Sequence, residues 1–416
     1  MKEPISTVLF INNKIMTRTS KLYLTAILCI IFVFLISCSK EPSDINNNSS
    51  ESDSDNSTVE SQELTTYITE DGTERSLSYD GITEFSKNKN VIVFVVDRFD
   101  SRYMERALKE TPDVFYNLEG FTYFADHISL YGRTFPSITY MITGCENDFS
   151  TSREQYFRKA YSDSAFLNLL RQNNYDIKIY TDTYYSYKDA SVMGKYVSNI
   201  VTSDSENVYS TDQKFVYELL NKAEYCANSE KNNFSFIHIQ GCHLPNAYDE
   251  SFNTMADDHT DRWNELVAIN TSMQIIDTYI AHMKELGIYN SSTIIIVGDH
   301  AAAISDSKEL SGARRTALLV KPAGSRRGNI KTSYAQVAHE NLWQTILESE
   351  KIEHTCDFEP SVFSISNREK RIRRYNFQRM DSGYFENIFY SVNGSSSFFS
   401  NWTIIHREDI EGSVHQ

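Results

Sequence analysis

Apolar residues fall into short dense runs along this chain, separated by longer stretches in which polar and apolar positions mix. Residues 91–96 read VIVFVV, a continuous β-branched and aromatic run of the kind a strand carries when both its faces are buried in a parallel sheet. Similar runs recur at 177–180 (IKIY), 234–239 (FSFIHI), 293–297 (TIIIV) and 317–320 (ALLV). Between them the pattern predicts helices over 165–172, 214–227, 265–286 and 336–348. Strands alternating with helices predict an α/β layered fold with a mainly parallel central sheet, whose ligand site lies at the carboxyl ends of the strands. Residues 351–416 place Tyr375, Phe377, Tyr384, Phe389, Tyr390 and Trp402 among polar residues and turns, which predicts a smaller C-terminal β-rich subdomain.

One run differs from these. Residues 22–37 (LYLTAILCIIFVFLIS) follow Arg18 and Lys21 and precede Cys38. A spanning helix needs roughly 20 apolar residues, and this stretch is nearer the length of a signal-peptide core. Leu35-Ile36-Ser37-Cys38 resembles the lipobox of bacterial lipoproteins, which makes Cys38 the expected lipidation site. A single uncleaved anchor is the other reading of residues 1–38, and either one places the remainder outside the cytoplasmic membrane. Translation from Met16 would give the leader MTRTSK, so Met1 and Met16 are both candidate starts. Residues 39–66 are nearly devoid of apolar side chains, and 39–80 is expected to be a disordered tether.

Composition narrows the function classes. Hydrophobic residues at 40% and aromatics at 13% suffice for a core, and a net charge of −16 disfavours nucleic acid as a partner. If the substrate is anionic, positive charge must be supplied locally. Cys145, Cys226, Cys242 and Cys356 show no CxxC spacing, so unpaired, mostly buried thiols are expected.

Two of the buried runs end in metal-binding groups: Asp97 follows the first, and Asp299 and His300 follow TIIIVG. A carboxylate just past a buried strand has a rigid base beneath it and an open cleft above, as a catalytic cation requires. Asp100, in VDRFDSR, competes with Asp97. A third element is Tyr131-Gly132-Arg133-Thr134-Phe135-Pro136-Ser137, running on to Gly144. Pro136 suits the first turn of a helix and makes Thr134 the expected N-cap, where the helix dipole and an adjacent metal would stabilise an alkoxide. An ordinary capping threonine is the competing reading.

Thr134, Pro136, Ser137 and Ile142-Thr143-Gly144 resemble the alkaline-phosphatase/sulfatase superfamily, whose members carry a nucleophile, then x-P-S, then a helix closing in LLTG. Asp299-His300 resembles the metal-binding dipeptide of that family, and Asp97 its first acidic ligand. The resemblance spans about residues 90–348. It implies an alkaline-phosphatase-like three-layer sandwich over 81–350, with Thr134 as nucleophile. It further implies one divalent metal ion, Mn or Zn or Mg, held by Asp97, Thr134, Asp299 and His300.

Sulfatases proper oxidise a Cys or Ser in C/S-x-P-S-R to formylglycine. Here Thr134 cannot yield that aldehyde, and Ile138 stands where the Arg belongs. A threonine nucleophile is similar instead to the phosphoglycerol and phosphoethanolamine transferases of the cell envelope and to the nucleotide phosphodiesterases, whose Asp-x-x-x-His element is missing here. Residues 236–248 (FIHIQGCHLPNAY) resemble the G-x-H-x-P segment of the envelope transferases, which implies that His243 contacts the substrate or the transferred phosphoryl group. Residues 338–347 (AHENLWQTIL) are similar to their SHDNLFxTLL helix, which implies His339 as a second active-site histidine. Arg133 offers positive charge beside the nucleophile, and His238, inside a strand, reads as structural.

Two features depart from that pattern: the transferases usually begin their ligand set with Glu, and several membrane helices precede their catalytic domain. Three functions therefore stand open. One is transfer of a phospho-substituent such as phosphoglycerol or phosphoethanolamine onto an envelope glycan or lipid through a phospho-threonine. The others are an extracellular phosphodiesterase or phosphatase, and a non-catalytic surface-binding lipoprotein. The expected partners are an envelope lipid or glycan and, through the N-terminal anchor, the membrane.

Overall fold

The computed structural model describes residues 66–68, 74–76, 81–182, 195–203, 212, 215–216, 219, 224–244, 246–255, 264–302, 310, 312–325, 328–381 and 384–410. The apolar leader, Cys38 and most of the expected tether lie outside them. Within the tether span, Thr66–Ile68 pairs antiparallel with Glu74–Ser76. Among the described residues no helix is long and apolar enough to cross a membrane.

The central sheet contains β1 (Asn90–Val96), β2 (Thr122–Phe124), β3 (Tyr175–Asp182), β4 (Asn199–Ser203), β5 (Asn232–Ile239), β6 (Thr293–Gly298), β7 (Leu318–Lys321) and β8 (Lys331–Ser333). Their spatial order is β8-β2-β7-β6-β1-β5-β3-β4. From β6 to β4 all neighbours are parallel, whereas β7, the expected ALLV strand, runs antiparallel to both β6 and β2. Every residue of β1 and β6 is buried, because helices cover both faces. Val91, Val93 and Val95 share one cluster with Ile138 and Ile142 of α2 (Thr134–Thr143), Leu167 of α4 (Ala165–Gln172) and Ile346 of α6 (Leu342–Ser349). Ile92, Phe94 and Val96 share the opposite cluster with Met104 of α1 (Ser101–Glu110) and Ile276 of α5 (Glu265–Glu285). A further helix, α3 (Arg153–Asp163), precedes α4. The result is three layers, and each buried Val, Ile or Phe contributes about 1.5–3 kcal/mol.

Two expected helices need correction. Half of 214–227 lies outside the described residues; Phe215, Val216 and Leu219 are helical as expected, and the correction falls on the end of the span, where Cys226–Ser229 is a strand paired in parallel with Glu84–Ser86. In 336–348, Val337–Ala338 pairs with His127–Ile128 and a 3-10 turn spans His339–Asn341 before α6 begins. The Asn341 side chain accepts the Ala338 N–H at 2.8 Å, and this local bond holds the chain out of the helix until Leu342. All four described cysteines are free, as expected, yet only Cys242 is buried.

Residues β9 (Ile372–Asp381), β10 (Tyr384–Asn393) and β11 (Trp402–Ile410) form a separate antiparallel sheet, the expected C-terminal β structure. It joins the main layers through Arg373, which is 1% exposed and donates to Asp126 Oδ1 at 2.9 Å and to three backbone carbonyls. β9 also braces the segment before Thr134: Asn376 N–H donates to Leu130 O at 2.7 Å, and Gly132 N–H to Asn376 O at 2.9 Å. A Cβ at Gly132 would lie 2.6 Å from the Tyr375 hydroxyl, so a side chain here would force the buried Tyr375 ring to shift.

Candidate active site

The register of the parallel strands dictates which groups converge. Val95 lies beside His238 of β5 on one side and Val297 of β6 on the other, so Asp97, His238 and Asp299 project from one face at adjoining strand ends. One ligand atom from each lies within 4.8 Å of the others, and all three residues are buried. Sequence reasoning passed over His238. The available signal was its alternation with Phe234 and Phe236, which puts an imidazole on the buried face one step short of the strand end.

Tight turns hold these ends together. Arg98 takes φ +56°, and its N–H donates to Asp299 Oδ1 at 2.9 Å, as does the His300 N–H at 2.8 Å. Gly298 meets this turn so closely that a Cβ would lie 2.5 Å from Phe99 O. Asp100, the competing ligand, is committed elsewhere. It caps α1 through Arg102 N–H and receives the Arg102 guanidinium at 2.8 and 2.7 Å.

Thr134 reaches the same place from α2. Arg133, in extended conformation, is the N-cap, and Thr134 is the first helical residue, a correction to its expected capping position. The change follows from the bracing by β9, which keeps the chain extended through Arg133. The Thr134 hydroxyl points into the site, 3.3 Å from Asp97 Oδ2 and 3.2 Å from His300 Nε2. His300 Nδ1 donates to Ala301 O at 2.9 Å, which turns Nε2 toward the site. His300 Nε2 also lies 3.7 Å from Asp97 Oδ1 and 3.5 Å from Asp299 Oδ2.

The other predicted residues are placed differently. His243 sits in the turn after β5, where Gly241 takes φ +57° and a Cβ would strike Val96 at 2.3 Å. Cys242 N–H donates to Asp97 O at 3.0 Å, so this turn is stitched to the strand end that carries Asp97. The His243 Nδ1–H donates to Leu244 O at 2.7 Å, and burial holds its pKa below the usual histidine value. His339 is fully buried, with Nε2 donating to Gly298 O at 2.9 Å and its ring 5.1 Å from that of His127. Burial lowers its pKa to about 4, so it is neutral. Arg133 is exposed, and its guanidinium lies 3.4 Å from Gln378 O on β9.

Asp97 Oδ1 and Asp299 Oδ2 are buried with no hydrogen-bond partner among the described residues. Burial, then the nearby Asp299 charge, push the Asp97 carboxyl well above its ordinary range. Burial also pushes Asp299 upward, but His300 and His238 outweigh it and hold that carboxyl low. Two carboxylates with unmet oxygens, imidazole nitrogens and a hydroxyl form a donor set that fits a divalent cation.

No curated protein sequence significantly matches the chain. Solved structures do. Ps i-CgsB in complex with k-i-k-neocarrahexaose is 13% identical over 74% of this chain and 84% of that one, with a TM-score of 0.52. The Bacteroides fragilis protein yidJ is 12% identical over 78% and 89%, at 0.51. The phosphonate monoester hydrolase SpPMH from Silicibacter pomeroyi is 12% identical over 77% and 89%, at 0.50. These likenesses show a shared fold. The family model described as Sulfatase matches residues 89–349, and the chain thus belongs to the sulfatase family of metal-dependent enzymes that act on sulfate or phosphate esters.

Proposed function

We propose that this protein is a phosphoryl-group transferase of the cell-envelope exterior, tethered through Cys38. It moves a substituent such as phosphoglycerol or phosphoethanolamine onto an envelope glycan or lipid by way of a phospho-threonine at Thr134. The observation that carries this reading is the Thr134 hydroxyl, which faces Asp97 and His300 instead of capping its own helix. A threonine at that position supplies a nucleophilic oxygen and closes the formylglycine route of ordinary sulfatases.

Asp97, Asp299, His300 and Thr134, joined by His238, would hold one divalent cation, of which Mn, Zn and Mg are the candidates. When bound, it supplies Lewis-acid stabilisation of the alkoxide and of the phosphoryl oxygens. Thr134 Oγ1 attacks phosphorus in line, an O–P bond forms, the bond to the leaving alkoxide breaks, and the hydroxyl proton departs with the alcohol. His243 has its Nδ1 proton held on Leu244 O, so its Nε2 is an acceptor. In the second half an acceptor alcohol gives its proton to that nitrogen as its oxygen attacks the same phosphorus. Thr134 is released and takes the proton back. His339 acts by positioning, because it grips the carbonyl of the residue before Asp299. Water in place of the alcohol gives the hydrolase reading, which the same geometry serves.

The test is mass spectrometry of the metal-loaded full chain after incubation with phosphatidylglycerol, phosphatidylethanolamine or bis(4-nitrophenyl) phosphate. An adduct on Thr134 whose mass equals the transferred group is expected. Turnover with no adduct on Thr134 under rapid quench would overturn the covalent route.

A further inference from the structure

A cleft of about 410 Å³ opens on the carboxyl edge of the sheet, away from Thr134, among residues that follow β2 and β8 and precede β7. Its size is within the ~300–1,000 Å³ range of small-ligand sites. The charged groups that line it are already matched. Arg315 donates to Glu105 at 2.7 and 3.3 Å and to Ala125 O at 2.9 Å, and Asp126 holds Arg373 at 2.9 Å. Neither a phosphate nor a metal ion therefore finds an uncommitted countercharge in these pairs.

What the cleft presents is hydrogen bonding beside an aromatic ring. Tyr334 is 63% exposed. Its backbone N–H donates to Asn367 Oδ1 at 3.0 Å, and the Ser333 hydroxyl donates to the same oxygen at 2.8 Å. Gln336 Oε1 accepts the Arg371 N–H at 2.8 Å. Both amide oxygens are thus fixed by the protein, which orients the two amide NH₂ groups as donors for a ligand. An amphipathic ring, oriented planar donors and neutralised charge suit an uncharged ring bearing many hydroxyls.

We propose that this cleft binds a neutral sugar unit of the acceptor, an inference that rests on the reading of the enzyme as a transferase to a glycan. β2 and β1 are three strand spacings apart in the sheet, about 14 Å at ~4.8 Å each, so a glycan of a few units spans from the cleft to Thr134.

The test uses the full chain and saturation-transfer NMR with cellotriose and chitotriose, alongside glycerol 3-phosphate as the charged comparison. At least one neutral trisaccharide should bind. Tyr334→Ala should weaken that binding roughly tenfold, as loss of one stacked ring predicts. The same variant should hydrolyse bis(4-nitrophenyl) phosphate at the wild-type rate. Thr134→Ala should bind the sugar normally, so the cleft is read without turnover and a failure of the Thr134 mechanism shows separately. Absence of binding by both trisaccharides, or binding that survives both Tyr334→Ala and Asn367→Ala, overturns the proposal.

Discussion

Two clusters of buried charge sit on the carboxyl side of the same sheet and are wired in opposite ways. At Asp126 the charge is matched: Arg373 spreads its terminal nitrogens over the carboxylate and the carbonyls of Asp126, Val337 and Gly394, and Ser396 N–H adds a bond at 2.9 Å. At Asp97 and Asp299 two carboxyls face each other, and one oxygen on each has no hydrogen-bond partner among the described residues. Matched charge fastens one part of a fold to another. Unmatched buried charge costs several kcal/mol, and it persists where a ligand will satisfy it. The first cluster is therefore a clasp between sheet and C-terminal strands, and the second is a site.

The largest expected effect tests the site. Thr134→Ala should lower turnover by at least roughly 10³-fold while the thermal midpoint stays near wild type, because the hydroxyl caps no helix and only the nucleophile is lost. Activity close to wild type in a folded Thr134→Ala protein would return the residue to structure.

Next comes the clasp. Arg373→Met should cost about 3–5 kcal/mol in urea unfolding, since it strands Asp126 in the interior. Adding Asp126→Asn should recover part of that loss. A cost under about 1 kcal/mol would show that Asp126 finds other partners.

Metal removal is the third test. Saturating divalent cation at about 100 times its Kd should stabilise the wild type by about 2.7 kcal/mol, and a chelator should remove this gain. Asp299→Ala should unfold at the same temperature with and without the ion. Equal responses from wild type and variant would place the cation elsewhere.

The smallest effect concerns Glu340, a buried carboxyl belonging to neither cluster. Burial raises its pKa to about 7, and its Oε2 lacks a hydrogen-bond partner among the described residues. A carboxyl raised in the folded state binds its proton more tightly there than in the unfolded chain. Stability is therefore fully present below about pH 4.5 and falls as pH rises through 7. Glu340→Gln should match wild type at pH 4 and exceed it at pH 8 by up to about 3 kcal/mol in denaturant unfolding. A constant difference between the two pH values would show that Glu340 does not titrate as described.

The layers of the fold were legible because buried parallel strands leave a dense local signature, as in VIVFVV and TIIIV. The direction of β7 was not, since ALLV reads the same in a parallel or an antiparallel neighbour. Of the site, Asp97, Asp299 and His300 announced themselves at strand ends, and Thr134 through its register with Pro136 and Gly144. His238 did so more weakly, because its alternation with Phe234 and Phe236 marks a buried face and the pairing Val95↔His238 is what puts its ring on the face of Asp97.

The sequence by itself determined the dense buried strands and the residue types able to bind a cation and attack an ester, since each depends on a residue's own chemistry or its near neighbours. Only the tertiary structure decided between Asp97 and Asp100, moved Thr134 off the N-cap, and put His339 behind Gly298. Those outcomes depend on which strands become neighbours and on a C-terminal sheet roughly 240 residues downstream that holds Arg133 extended, and the distance along the chain leaves no local trace of either.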